Sequence, residues 1–185
     1  HTAAITKEGK VVCWGGNELG QCTVPSSLDR VISISCGSSH SAVVTRAGRV
    51  VCWGQNKNGR GSVPADLENV IAVSCGVYHT AALTQAGKVR CWGDNSSSQC
   101  TVPATLENVV AISCGGWHTA AVTNGGTVVC WGNNDEDQSL PPSTLRNVIS
   151  ISCGGYHTAA LTAEGKVVCW GRNGDGQCSV PENLE

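Results

Sequence analysis

The sequence predicts an all-β fold, a β-propeller of 39-residue four-stranded blades with about five blades present. Three observations predict it. One pattern recurs at a constant step, short β-rich runs with a period of two fill each copy, and turn residues separate those runs. Histidine falls at 1, 40, 79, 118 and 157, always 39 residues apart. The copies are 1–39, 40–78, 79–117, 118–156 and an incomplete 157–185, and together they form a single repeat domain over 1–185. Trp14, Trp53, Trp92, Trp131 and Trp170 share one phase, as do Gly9, Gly48, Gly87, Gly126 and Gly165. Asn17, Asn56, Asn95, Asn134 and Asn173 share another, and so do Pro25, Pro64, Pro103, Pro142 and Pro181.

Each element follows from its residues. The run 31–36, VISISC, alternates large and small side chains and reads as a strand. After Gly37, HSAVVT at 40–45 is a second β-rich run. RAG at 46–48 is a three-residue hairpin loop, with Gly48 where a positive φ is needed. RVVCWG at 49–54 is the third run, and a shorter fourth near 60–63 ends at Pro64, which fits only an edge. Helical periodicity appears nowhere. One small sheet with two apolar faces cannot bury itself, whereas stacked neighbours can. Four short strands per ~40 residues point to propeller blades rather than β-helix coils.

Composition narrows the function. Hydrophobic residues make up 41% but aromatics only 4%, with no Phe, so Val, Ile, Ala, Leu, Cys and Trp must build the core. The net charge of −2 gives no electrostatic footprint for nucleic acid or an anionic membrane. No apolar run approaches the ~18–20 residues of a membrane helix. The chain has no Met and starts at His1 within a repeat, so it is expected to be a processed chain or the ordered part of something longer.

The pattern V-I-x-I-S-C-G-x-x-H-T-A-A-L-T-x-x-G-K-V-x-C-W-G-x-N-x-x-G-Q covers the whole chain, five times over. It resembles the regulator of chromosome condensation repeat family, most closely its compact bacterial-type members. The resemblance implies a seven-bladed ring and, by the family's name, nucleotide exchange on a small GTPase. Departures are Ser98 and Asp137 at a glycine phase, and Arg60 at a glutamine phase. With ends that fall mid-repeat, the chain reads as a fragment of a seven-bladed ring; a closed five-bladed ring and an open arc are the alternatives. A photoreceptor branch of the family clusters tryptophans in Gly-Trp-Arg-His-Thr. This chain has the nearest match once, at 115–119, without the Arg, so an exciton cluster is not expected.

Twelve cysteines invite a disulfide or metal reading. They fall in three phases: Cys13, Cys52, Cys91, Cys130 and Cys169; Cys36, Cys75, Cys114 and Cys153; and Cys22, Cys100 and Cys178. No CxxC occurs, so zinc-ligand spacing is absent. Buried thiols packing as small hydrophobes fit best, with one disulfide per blade between the first two sets as the alternative. The in-phase histidines cannot share a metal, because blades stack ~10 Å apart. His1, His40, His79, His118 and His157 are expected to tie down the Gly-rich turn before them, and the Trp set to pack between blades. NNDEDQ at 133–138 and NGDGQ at 173–177 miss the spaced calcium-loop pattern and read as solvated turns. No cofactor, metal or catalytic set is expected.

Function then lies where copies differ, on loops held by a rigid scaffold. The loops at phases 37–39 and 16–20 are expected on one face, the hairpin and Pro-containing loops on the other. The first face gathers Tyr78, Trp117 and Tyr156 on consecutive blades, near Asp94, Asp135, Glu136 and Arg172. These rings either anchor a protein partner or pack over neighbouring loops. A non-enzymatic interaction scaffold or structural subunit is the leading reading. GTPase regulation and a lectin-like ligand binder are the alternatives, and nucleic acid and a membrane span are not expected.

Overall fold

Glycines at positive φ set the strand boundaries. In a computed structural model that describes residues 1–182 and 184, Gly48 (φ 72°) closes a turn in which its N–H donates to Thr45 O at 2.9 Å. Thr45 N–H in turn donates to Arg49 O at 2.9 Å, so β4 (His40–Thr45) and β5 (Val50–Gly54) leave the turn already paired. The same hairpin joins β1 (Thr2–Ile5) to β2 (Val11–Trp14), β7 (His79–Thr84) to β8 (Val89–Gly93), β10 (His118–Thr123) to β11 (Val128–Gly132), and β13 (His157–Thr162) to β14 (Val167–Gly171).

A further strand precedes each of the last four hairpins: β3 (Val31–Cys36), β6 (Val70–Cys75), β9 (Val109–Cys114) and β12 (Val148–Cys153). The chain is therefore a two-stranded sheet followed by four antiparallel three-stranded sheets. Each three-stranded sheet straddles a His-to-His boundary, since β3 belongs to the first copy and β4 to the second. Asn183 and Glu185, in the incomplete fifth copy, lie outside the described residues.

Two expectations change. The fourth run near 60–63 is not a strand: 60–64 is turn and irregular backbone, in which Ser62 N–H donates to Gly59 O at 2.9 Å. Pro64 ends no strand; its carbonyl accepts Leu67 N–H at 3.1 Å. The VISISC alternation is also interrupted, because the register slips past Ile32, Ile71, Val110 and Ile149. A bulge turns its extra residue out of the ladder, and all four of these residues are exposed.

The sheets stack in chain order, and the core lies between them. Ala42 and Val44 of the second sheet meet Val70, Val73, Ala82 and Trp92 of the third. Leu83 and Val89 meet Val109, Ala121 and Trp131 of the fourth and Leu106 of the loop before it, while Ala120 and Val122 meet Val148, Ile151, Ala160 and Trp170 of the fifth. The central strands β4, β7 and β10 are buried along nearly their whole length, which is why alanine fills them: two sheets approach each one closely. In β13 burial alternates instead, because only one of its faces meets another sheet in this chain. Trp14 is likewise about half exposed while Trp92, Trp131 and Trp170 are buried, so the inter-blade role expected of the Trp set is not filled at Trp14. Among the described residues no helix is long and apolar enough to cross a membrane.

Candidate functional site

A hydroxyl relay ties each blade to the next and fixes the loops above it. His40 Nε2 lies 2.9 Å from Thr80 Oγ1, His79 Nε2 2.8 Å from Thr119 Oγ1, and His118 Nε2 2.9 Å from Thr158 Oγ1. Each threonine hydroxyl donates onward to a loop carbonyl, Thr80 to Arg60 O, Thr119 to Gln99 O and Thr158 to Gln138 O. Its proton is thus spent, and the imidazole must be the donor through Nε2. Two of the Trp set converge on the same carbonyls: Trp131 Nε1 donates to Gln99 O at 2.9 Å and Trp170 Nε1 to Gln138 O at 3.0 Å, whereas Trp92 Nε1 is buried without a partner.

His40, His79 and His118 are fully buried, and burial pulls each pKa down to about 4. They are neutral at physiological pH. Their Nδ1 atoms have no hydrogen-bond partner and lie against Gly37, Gly76 and Gly115. The histidines therefore lie over the Gly-rich turn without a hydrogen bond to it, and their bond goes to the following blade instead. Thr119→Val strands the His79 N–H in the core, so it is expected to lower stability by about 2 kcal/mol in a urea titration. Thr127→Val, on an exposed hairpin, should change little.

Backbone bonds organise the two loop faces. Asp94, Asn133 and Arg172 donate their N–H groups to Tyr78 O, Trp117 O and Tyr156 O at 2.8–3.0 Å, placing the loops at phases 16–20 and 37–39 side by side. Val70 N–H to Gly48 O and Gln85 N–H to Asn69 O tie the other two loops together on the opposite face. Each loop after a third strand starts beside the aromatic of its own blade and ends against the next blade. Asn133 is bonded to Trp117, while a Cβ on Gly171 would touch both Gln138 and Tyr156 O.

Tyr78, Trp117 and Tyr156 are brought together as one ladder. The Tyr78 and Trp117 ring centroids are 5.1 Å apart and tilted by 44°; those of Trp117 and Tyr156 are 5.2 Å apart and stacked at 29°. Backbone bonds between neighbouring turns, Val77 N–H to Gly115 O and Gly116 N–H to Gly155 O, set that spacing. The rings are half-buried by one another, so packing and a solvent-facing edge coexist.

The polar residues expected near the ladder divide in two. Asp94 is committed internally: it accepts from Ser96 N–H and Oγ, from Gln99 Nε2, and from Asn58 Nδ2 at 2.7 Å. Those bonds hold its carboxyl below the usual range. Asp135 accepts only from Asn133 Nδ2, Glu136 is exposed, and Arg172 pairs with Asp175 at 3.7 Å.

Sequence reasoning registered Arg60 only as a departure, yet it closes the ladder. Its side chain is buried, with Cζ 5.1 Å from the Tyr78 ring centroid. Nε donates to Lys57 O and Nη1 to Val77 O, both at 2.9 Å. The available signal was a pair of exceptions: the copy boundary that lacks an aromatic, at Ser39, adjoins the copy that carries Arg60. All twelve cysteines are free thiols; Cys75 and Cys114 are buried and the other ten only half-buried, and burial pushes Cys52 and Cys100 up to about 12. Among the described residues no three metal-ligating side chains converge.

Comparison with known proteins adds a lineage. A model of the regulator of chromosome condensation (RCC1) repeat matches residues 1–21, 31–60, 70–99, 109–138 and 148–177. No curated protein matches the chain. Among solved structures, human WBSCR16 superposes with a TM-score of 0.81 at 22% identity, covering 96% of this chain and 61% of that one. Prp20p from Saccharomyces cerevisiae, described with its binding properties to Gsp1p and histones, gives 0.79 at 19% identity, covering 99% and 58%. The ectodomain of the Physcomitrella patens receptor kinase CR4 gives 0.74 at 24% identity, covering 95% and 50%. The chain thus spans roughly half to three fifths of these relatives, and at such identities the likeness is one of fold.

Proposed function

The chain belongs to the regulator of chromosome condensation (RCC1) repeat family, and from that premise we propose that it is a non-enzymatic scaffold that binds a protein partner through its aromatic loop face. The observation that carries this reading is the Tyr78–Trp117–Tyr156 ladder, a rigid aromatic edge built from three separate blades. Its rings are already ordered by stacking, so binding has little side-chain freedom left to remove. Aromatic anchors of this kind dominate interface energetics. The family supports the reading, since Prp20p was studied for its binding to Gsp1p and histones.

Trp117→Ala is expected to weaken partner capture at least tenfold, measured by quantitative cross-linking in the source cells. The equivalent change at exposed Leu140, off the ladder, should leave capture intact. Loss of folding together with unselective loss of binding would refute the scaffold reading. Exchange on a small GTPase is the second reading, which the relation to Prp20p keeps in view. Accelerated nucleotide release by the purified chain would favour it over a plain scaffold.

A further inference from the structure

The ladder is not electrostatically uniform, and the difference identifies a partner chemistry. At its Tyr78 end the preceding loop delivers a cation of the chain's own, the buried guanidinium of Arg60 lying over the ring. At Trp117 and Tyr156 the same loop position is Gln99 and Gln138, which turn back into their own loops: Gln99 Nε2 donates to Asp94 and Gln138 Nε2 to Asn133. No guanidinium or ammonium lies over either of those rings among the described residues. The loop running from Trp117 to Tyr156 carries Asp135, Glu136 and Asp137 instead, all exposed.

None of these three carboxylates forms an ion pair among the described residues. Three acidic side chains around the opposite face are paired within the chain, Asp29 with Arg49, Asp66 with Arg90 and Glu107 with Lys88, whereas Glu8, Glu68 and Glu164 there form no ion pair. Half of the ladder thus holds a cation already, and the other half shows aromatic edges beside unanswered negative charge. A planar guanidinium suits both partners, stacking on a ring while its N–H groups meet a carboxylate.

We propose that the Trp117–Tyr156 half of the ladder, with the 135–137 loop, receives an arginine-bearing segment of a protein partner. This rests on the scaffold reading and names the chemistry of its partner. The probe is a short fluorescent peptide of alternating arginine and glycine, with a matched glutamate–glycine peptide as control, titrated by anisotropy at 0.15 M salt. The arginine peptide is expected to bind and the glutamate peptide not to.

A variant combining Asp135→Asn, Glu136→Gln and Asp137→Asn should bind at least tenfold more weakly with an unchanged melting temperature. Asparagine tolerates the positive φ of 59° at position 137. Trp117→Ala should weaken binding comparably. If that variant fails to fold, hydroxyl-radical footprinting of the parent supplies the test, the peptide being expected to protect Trp117 and Tyr156. Equal binding of both peptides, no binding, or arginine binding indifferent to the loop neutralisation would overturn the proposal. Partner capture that still depends on Trp117 would then leave the scaffold standing without its cation preference.

Discussion

Acidification from pH 7 to pH 5 is expected to cost the protein about 6 kcal/mol of folding stability, about 2 for each of His40, His79 and His118. Each imidazole has a folded pKa of about 4, caused first by burial. An unfolded histidine titrates near 6.5, so through this window the unfolded chain binds protons that the folded chain refuses. Stability is whole above about pH 6.5 and drains as pH falls toward 4. Asp94, held below the usual carboxylate range, adds its loss only at lower pH.

A deficit of that size rivals the whole stability of an ordinary domain. The urea midpoint should therefore fall steeply between pH 7 and 5. His79→Asn should be less stable at pH 7 but lose about a third of the pH dependence. A midpoint that does not move would show that the imidazoles take up protons without disturbing the stack.

Gly76→Ala is expected to cost about 3 kcal/mol, at the upper end of overpacking effects, while Gly155→Ala should cost almost nothing. An added Cβ at Gly76 would stand 2.5 Å from Gly115 O and 2.7 Å from the His79 ring. Neither can retreat: one is backbone of the next blade, and the other is held by the Thr119 hydroxyl. At Gly155 the same atom meets nothing within 4 Å. Thermal melts of the two variants give the contrast directly. The same crowding explains why Gly37, Gly76, Gly115 and Gly154 occupy one phase without exception: a Cβ at each would press on the histidine ring three residues on.

Much of the fold was legible because the copies repeat the same physical problem. The alternation in VISISC, the glycine before each third strand and the single His phase located the strands and hairpins. The fourth strand misled because its few residues beside a proline carry no ladder of their own; turn bonds such as Ser62 N–H to Gly59 O satisfy them instead. The bulged Ile32 and Ile71 were equally hidden, since a one-residue slip leaves an alternating string looking regular. At the site, the varying residues pointed to Tyr78, Trp117 and Tyr156. Their mutual stacking was not readable, because it depends on blade spacing rather than residue type. Arg60 escaped for a related reason: only the packed structure shows its guanidinium over the Tyr78 ring.

The relay also bears on how such a chain changes length over generations. His40 reaches Thr80, His79 reaches Thr119, and the Ser74 hydroxyl meets Cys114 N–H, each across 40 positions. Recombination that duplicates or removes a whole unit leaves every one of these offsets intact. The new junction keeps a histidine opposite a hydroxyl residue, so a lengthened or shortened descendant inherits working seams from birth. A single-residue insertion between such partners puts one seam out of step. Chains of this kind are therefore free to grow and shrink in whole blades, while turn residues such as Ser39 and Trp117 diverge copy by copy.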